Sequence, residues 1–202
     1  MNAKHLLLAS TNQGKLHEMQ ALLSGTPYKL ITPDQINCHL TVVEDGSTYA
    51  ENAIKKARAY ADASGYAVIA DDSGLEVAAL DGSPGIYSAR YAPQPDATDA
   101  DRRIYLISQL RDFPRPWPAQ FRCVIALADP SGQIFTAEGV CPGEIIPKEY
   151  GTNGFGYDPI FMLPLLNKTM AELSTDEKNR LSHRAHAVKA AIPLLERLYM
   201  TY

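Results

Sequence analysis

The chain has 202 residues, 46% of them hydrophobic and 21% charged, an ordinary globular balance with ample material for a buried core. Its formal net charge of −4, from 19 basic and 23 acidic side chains, is the wrong sign for gripping a nucleic-acid polymer, although a few placed lysines and a metal can still hold a small anion. Three scattered cysteines exclude a disulfide framework or a zinc site, and no stretch approaches the ~20 apolar residues of a membrane helix, so a reduced, cytoplasmic protein without membrane attachment is expected.

Taken in chain order, residues 5–9 form a short apolar run, too short for the ~7–15-residue core of a signal peptide. It closes on Ser10-Thr11-Asn12-Gln13-Gly14, after which Leu16, Met19, Leu22 and Leu23 recur at helical spacing: strand, loop, helix. Residues 28–32 read as a second strand. A long helix is predicted over 48–64, with Tyr49, Ala53, Ala57, Tyr60 and Ala61 on one stripe and Gly65 ending it. Residues 67–70 are a buried-strand signature running into Asp71-Asp72-Ser73-Gly74, and a further apolar run, 75–80, closes on a loop at 81–85. Thr98 with Asp101 caps a helix carrying Ile104, Ile107 and Leu110; residues 114–118, three prolines in five, read as a linker. Strands at 121–128 and 134–140 flank the turn Asp129-Pro130-Ser131-Gly132. Ser174 with Glu177 makes a second capping box, and a last helix from about Ser182 carries Val188, Ile192, Leu195 and Leu198 on one face, with Pro193 expected to kink it. Strands alternating with helices, then a hairpin, predict an α/β fold with a mixed sheet flanked by helices.

Five segments carry chemistry. The loop from Ser10 to Lys15 joins a strand to a helix start, where free N–H groups and the helix dipole favour an anion and Lys15 adds a point charge; by itself it reads equally as an ordinary capped helix. Asp71 and Asp72 are adjacent carboxylates at the end of an apolar strand, and neighbours on a strand point to opposite faces, so one can serve chemistry while the other is structural. An acidic turn is the plainer alternative. Glu44 adds a hard oxygen; Glu44 with Asp72 would suffice for Mg²⁺, which takes one or two carboxylates and keeps water and phosphate ligands. Lys56, on the intervening helix, can reach a phosphate or lie solvated on the surface. Gly151 to Pro159 sets Phe155 among three glycines, a flat apolar face suited to stacking on a base, or else a glycine-rich turn around a core aromatic. Lys178, His183 and Arg184 offer donors at a helix start.

Together ASTNQGK, ENAIKKA, ADDSGLEV with SPGIYSARY, GTNGFGYDPIF and AELSTDEKNRLSHRA resemble, in order and over nearly the whole chain, the inosine triphosphate pyrophosphatase family. The resemblance implies one domain over residues 1–202, a long mixed sheet with two lobes and the active-site cleft between them, and usually a homodimer. It implies hydrolysis of ITP, dITP and XTP to monophosphate and pyrophosphate. Ser10, Thr11, Asn12, Gln13, Gly14 and Lys15 match the triphosphate loop, and Lys56 a phosphate-contacting lysine. Glu44 and Asp72 match the metal-associated carboxylates, Asp72 being also the proton acceptor. Ser73 lies at the substrate edge, and Phe155, Gly156, Tyr157, Asp158, Lys178, His183 and Arg184 match the base-binding set. Asp81 and Pro93 stand where such proteins more often carry glycine.

The implied mechanism is Mg²⁺-assisted in-line attack of water on the α-phosphorus. Three rivals remain: a Maf-like pyrophosphatase acting on modified pyrimidine nucleotides, against which Phe155 and the Ser182-His183-Arg184 run speak; a nucleotide-binding regulator, which needs no positioned base; and a phosphotransferase, for which Walker and kinase signatures are lacking.

Overall fold

The structure, a computed structural model, describes residues 4–201. Its strands are β1 (Lys4–Leu8), β2 (Tyr28–Ile31), β3 (Val68–Val77), β4 (Trp117–Ala128), β5 (Ile134–Ile145), β6 (Phe161–Leu163) and β7 (Lys168–Thr169). The helices are α1 (Gln13–Leu22), α2 (Tyr49–Ser64), α3 (Asp99–Leu110), α4 (Thr175–Leu181) and α5 (His183–Thr201). All seven strands belong to one sheet in the order β2-β1-β3-β4-β5-β6-β7. β1 pairs in parallel with β2 and β3, whereas β6 pairs antiparallel with β5 and β7. The sheet is mixed and helix-flanked, as the element order predicts.

The chain divides into two compact units. The first comprises Met1–Asp72, Cys123–Gly139 and Arg184–Tyr202, and its layering follows from the two-residue period of a strand. Leu6, Leu8, Ile69, Ile125 and Leu127 point to one face and pack with Met19 of α1 and Val188, Leu195 and Leu198 of α5. Leu7, Val68, Ala70, Ala126 and Ala128 point to the other and pack with Ala53, Ala57, Tyr60 and Ala61 of α2. The small residues on both sides of that second contact let α2 lie close to the sheet. Thr48 caps α2 by accepting from the Glu51 N–H, and Gly65 ends it at φ 70°.

The second unit, Ser73–Arg122 and Val140–His183, has its own core of Leu75, Val77, Leu106, Leu110, Trp117, Phe121, Ile145, Ile160 and Phe161. Both capping boxes read from the sequence are formed, Thr98 with Asp101 and Ser174 with Glu177. Among the described residues no helix is long and apolar enough to cross a membrane. The three cysteines are free thiols.

Three expectations are corrected. β3 does not end at Asp71 but continues through Asp71-Asp72-Ser73-Gly74 to Val77, because Leu75 and Val77 bury again beyond it and cations meet the acids. The acidic-turn reading falls with that. Residues 114–118 are not all linker: Trp117 starts β4, is buried, and donates its indole N–H to the Phe113 carbonyl at 3.1 Å. Ile104 is exposed, the buried positions of α3 being Leu106 and Leu110. α5 is assigned as one helical segment with Pro193 inside it. The two short strands β6 and β7 went unread because two or three residues show no periodicity. Asp81 adopts φ 49°, the left-handed region that favours glycine and that aspartate tolerates better than most residues.

Candidate active site

In the first unit, chemistry is set by the alternation along β3. Asp71 follows Ile69 onto the face covered by α1 and α5; Asp72 follows Ala70 onto the face covered by α2. Each acid therefore meets a different set of partners.

Asp71 is 1% exposed, as is Arg184. The Arg184 Nε and Nη2 both donate to Asp71 Oδ2, at 3.2 and 3.0 Å, and its Nη1 donates to Glu18 of α1. The Lys15 ammonium lies 3.1 Å from the same Oδ2. A buried ion alone costs several kcal/mol of lost hydration, so this carboxylate has to be surrounded by cations. Burial pushes its pKa up, but Lys15, Arg184 and Lys56 outweigh that and hold it well below the usual carboxylate range. The surrounding cations thus favour the ionised form of Asp71, which is one of two carboxylates that hold the Arg184 fork and one partner of the Lys15 ammonium.

Asp72 faces Asn52 and Lys56, side chains on successive turns of α2. The Asn52 amide donates to Asp72 Oδ2 at 3.1 Å, and its oxygen accepts from the Gly46 N–H at 2.8 Å. The opposite Asp72 oxygen lies 3.9 Å from the Lys56 ammonium, which also contacts Glu44 at 2.7 Å and donates to the Asp71 main-chain carbonyl at 2.7 Å. Lys56 is buried, so the solvated-surface reading is corrected: its i, i+4 spacing from Asn52 puts both polar side chains beside the acids. Burial pulls the Lys56 pKa down, yet Asp71, Asp72 and Glu44 more than reverse it. For Asp72 burial dominates and raises the pKa, with Lys56, Lys15 and Asn52 opposing only in part.

Three cations here, Lys15, Lys56 and Arg184, face four carboxylates, Glu18, Glu44, Asp71 and Asp72. Glu44 and Asp72 already converge on one ammonium. That donor set fits a hard divalent cation, which needs only one or two carboxylates. Among the described residues no three His, Cys, Asp or Glu side chains form a metal cluster.

The loop from Ser10 to Lys15 is a capped helix start. Asn12 accepts from the Lys15 N–H at 3.0 Å, and the Ser10 hydroxyl accepts from the Asn12 N–H at 3.2 Å. Thr11, Asn12 and Gln13 are exposed, and the first-turn N–H groups of Gln13 and Gly14 have no acceptor within the helix. Capping and anion binding are therefore compatible here.

The second unit holds the glycine-rich loop. Asp158 accepts from the Phe155 N–H at 2.9 Å and from the Lys178 ammonium at 2.5 Å, and that ammonium lies 5.1 Å from the Phe155 ring centre. Phe155 is half-buried. Tyr157 is buried in the core, its hydroxyl donating to the Ser88 carbonyl at 2.9 Å. His183 is buried and stacks on Phe121 with ring centres 4.7 Å apart. Ser73 is half-buried in β3, directly after Asp72. A Cβ on Gly154, at φ +76°, would sit 2.0 Å from Asp158 Oδ2 and 3.0 Å from the Lys178 ammonium. Gly154→Ala is expected to lose ~1–2 kcal/mol from the left-handed backbone alone and to displace Asp158. A lowered midpoint in thermal unfolding checks this.

The Ham1 family model matches residues 6–194. The chain belongs to the Ham1 family. It is 47% identical over 196 residues to the dITP/XTP pyrophosphatase of Desulforamulus reducens, covering 96% of this chain and 97% of that one. It is 45% identical over 184 residues to the protein of the same name from Geobacter sulfurreducens, covering 91% and 92%. The solved structure of the Staphylococcus aureus Ham1 protein superposes with a TM-score of 0.84 at 44% identity, covering 96% and 98%. A Ham1 protein from Coxiella burnetii gives 0.86 at 42% identity, covering 96% and 99%. The sequence resemblance and the Ham1 fold thus agree.

Sequence reasoning missed Glu18 and Asn52. Their only signal was a polar side chain in or beside an apolar helical stripe.

Proposed function

We propose that this Ham1 family member hydrolyses dITP, ITP and XTP to the monophosphate and pyrophosphate. The observation that carries the reading is the Asp72 carboxylate on β3, held by Asn52 and flanked by Lys56 and Glu44. A regulator that only binds nucleotide would have no use for a carboxylate fixed in this manner. The names of the relatives from Desulforamulus reducens and Geobacter sulfurreducens support the substrate class.

Lys15, Lys56 and the N–H groups of residues 10–15 would bind the triphosphate, and Asp72 would accept a proton from the attacking water. Glu44 and Asp72 would hold Mg²⁺, which when bound neutralises charge on the phosphate oxygens. Phe155 would stack on the base, and Lys178, held by Asp158, would donate to the 6-oxygen of hypoxanthine or xanthine, with Gly156 and Ser73 alongside; the buried Tyr157, His183 and Arg184 would act by holding their neighbours rather than by touching the base. Adenine presents an amino group at that position. Facing donors leave buried groups unpaired, which costs ~1–3 kcal/mol each and amounts to roughly tenfold to a hundredfold in selectivity. A homodimeric, cytosolic enzyme completes the proposal.

Two measurements test it. With dITP and Mg²⁺, pyrophosphate and dIMP are the expected products, with dATP poorly cleaved; equal rates on both, or a preference for pyrimidine nucleotides, would remove the base assignment. EDTA is expected to abolish turnover and added Mg²⁺ to restore it. A rate indifferent to chelation would contradict the roles of Glu44 and Asp72.

A further inference from the structure

The glycine loop is held from outside by α3. Asp99 and Arg103 lie one turn apart on that helix, so both side chains leave the same face. Asp99 Oδ2 accepts from the Gly156 N–H at 2.8 Å, and the Arg103 Nη1 donates to the Gly156 carbonyl at 2.8 Å. The rest of the Arg103 fork is fixed by Glu149, Nε to Oε1 at 2.8 Å and Nη2 to Oε2 at 3.0 Å. Gly156 itself is at φ 59°, and no residue is freer in the main chain than glycine. One helical turn thus grips the peptide groups on both sides of a glycine in the loop. The peptide before Gly156 carries Phe155, whose own N–H is held by Asp158, and the peptide after it leads into the anchored Tyr157.

We infer that Asp99 and Arg103 are positioning residues for base recognition: by clamping both main-chain groups of Gly156 they hold the Phe155 ring and the adjoining peptides in register before the nucleotide arrives. This rests on the proposed function. The hydrogen bonds here are charge-assisted on the side-chain partner, which makes them stronger than neutral ones. Without the clamp, each binding event has to order the loop, and the ordering entropy appears in KM. Chemistry at phosphorus uses other residues and is untouched.

The test is steady-state kinetics of Arg103→Gln, Asp99→Ala and Asp99→Asn on dITP and dATP, with tripolyphosphate as competitive inhibitor and circular dichroism to establish folding. Arg103→Gln and Asp99→Ala are expected to raise KM for dITP by about tenfold, the scale of ordering one or two backbone residues. The dITP-to-dATP ratio of kcat/KM is expected to fall, with kcat and the tripolyphosphate inhibition constant nearly unchanged. Asp99→Asn, whose amide oxygen can still accept from Gly156, is expected to restore KM. A merely structural role would lower kcat on both substrates together and leave KM and the ratio alone; that result, in whichever of the two disruptive variants folds, would overturn the inference. A wild type inert toward dITP would remove the proposed function, and the clamp's role with it.

Discussion

Asp72→Asn is expected to retain nucleotide binding while turnover falls by ~10²–10⁴-fold, the range for removing a positioned general base. The substitution is nearly isosteric, and Asn52 can still hydrogen-bond the amide oxygen that replaces Asp72 Oδ2. Lys15, Lys56 and the helix start are unaltered, so the triphosphate would keep the contacts proposed for it. What vanishes is a group able to take a proton, together with one of the two carboxylates proposed to hold Mg²⁺. Calorimetric titration of the variant with dITP, beside single-turnover rates, separates the two. Near wild-type turnover would exclude Asp72 as the base; lost binding with an unchanged first-order rate would make it a binding residue only.

Asp71→Asn is expected to act on stability. Removing the charge leaves the buried Arg184 with one fewer anion, and breaking a buried ion pair on one side costs ~3–5 kcal/mol. Urea unfolding measures this directly, and a loss below ~1 kcal/mol would show that the cage is not what holds Arg184. The pH dependence has a defined sign. The unfolded chain takes up a proton on Asp71 near its ordinary value of 3.8, whereas burial, outweighed by Lys15, Arg184 and Lys56, leaves the folded value well below that. Between the two values the unfolded state binds more protons, so this contribution is complete above about pH 4 and is lost as pH falls. Wild type is therefore expected to lose stability on acidification more steeply than Asp71→Asn. Parallel acid limbs would contradict the assignment.

How far the sequence carries this picture depends on the range of each interaction. The face of α2, the caps and the strands of the first unit were legible because their signals repeat locally, and the alternation that separates Asp71 from Asp72 is the same one that builds the core. Which of the two acids is structural was not legible. That is decided by Glu18 and Arg184, 166 residues apart in the chain. Asn52 gives no signal of a role, because a polar residue in an apolar stripe identifies no partner by itself. Trp117 reads as linker because three prolines surround it, whereas its indole buries. The grip of Asp99 and Arg103 on Gly156 spans 57 and 53 residues and involves main-chain atoms, which no side-chain pattern announces.

The most direct measurement is hydrolysis of dITP with Mg²⁺ in water enriched in oxygen-18. If Asp72 activates a water for attack on the α-phosphorus, the heavy oxygen should appear in dIMP and none in pyrophosphate. Label in pyrophosphate, or release of orthophosphate with dIDP, would place the attack at another phosphorus and contradict the arrangement of Asp72, Glu44 and Lys56 set out above.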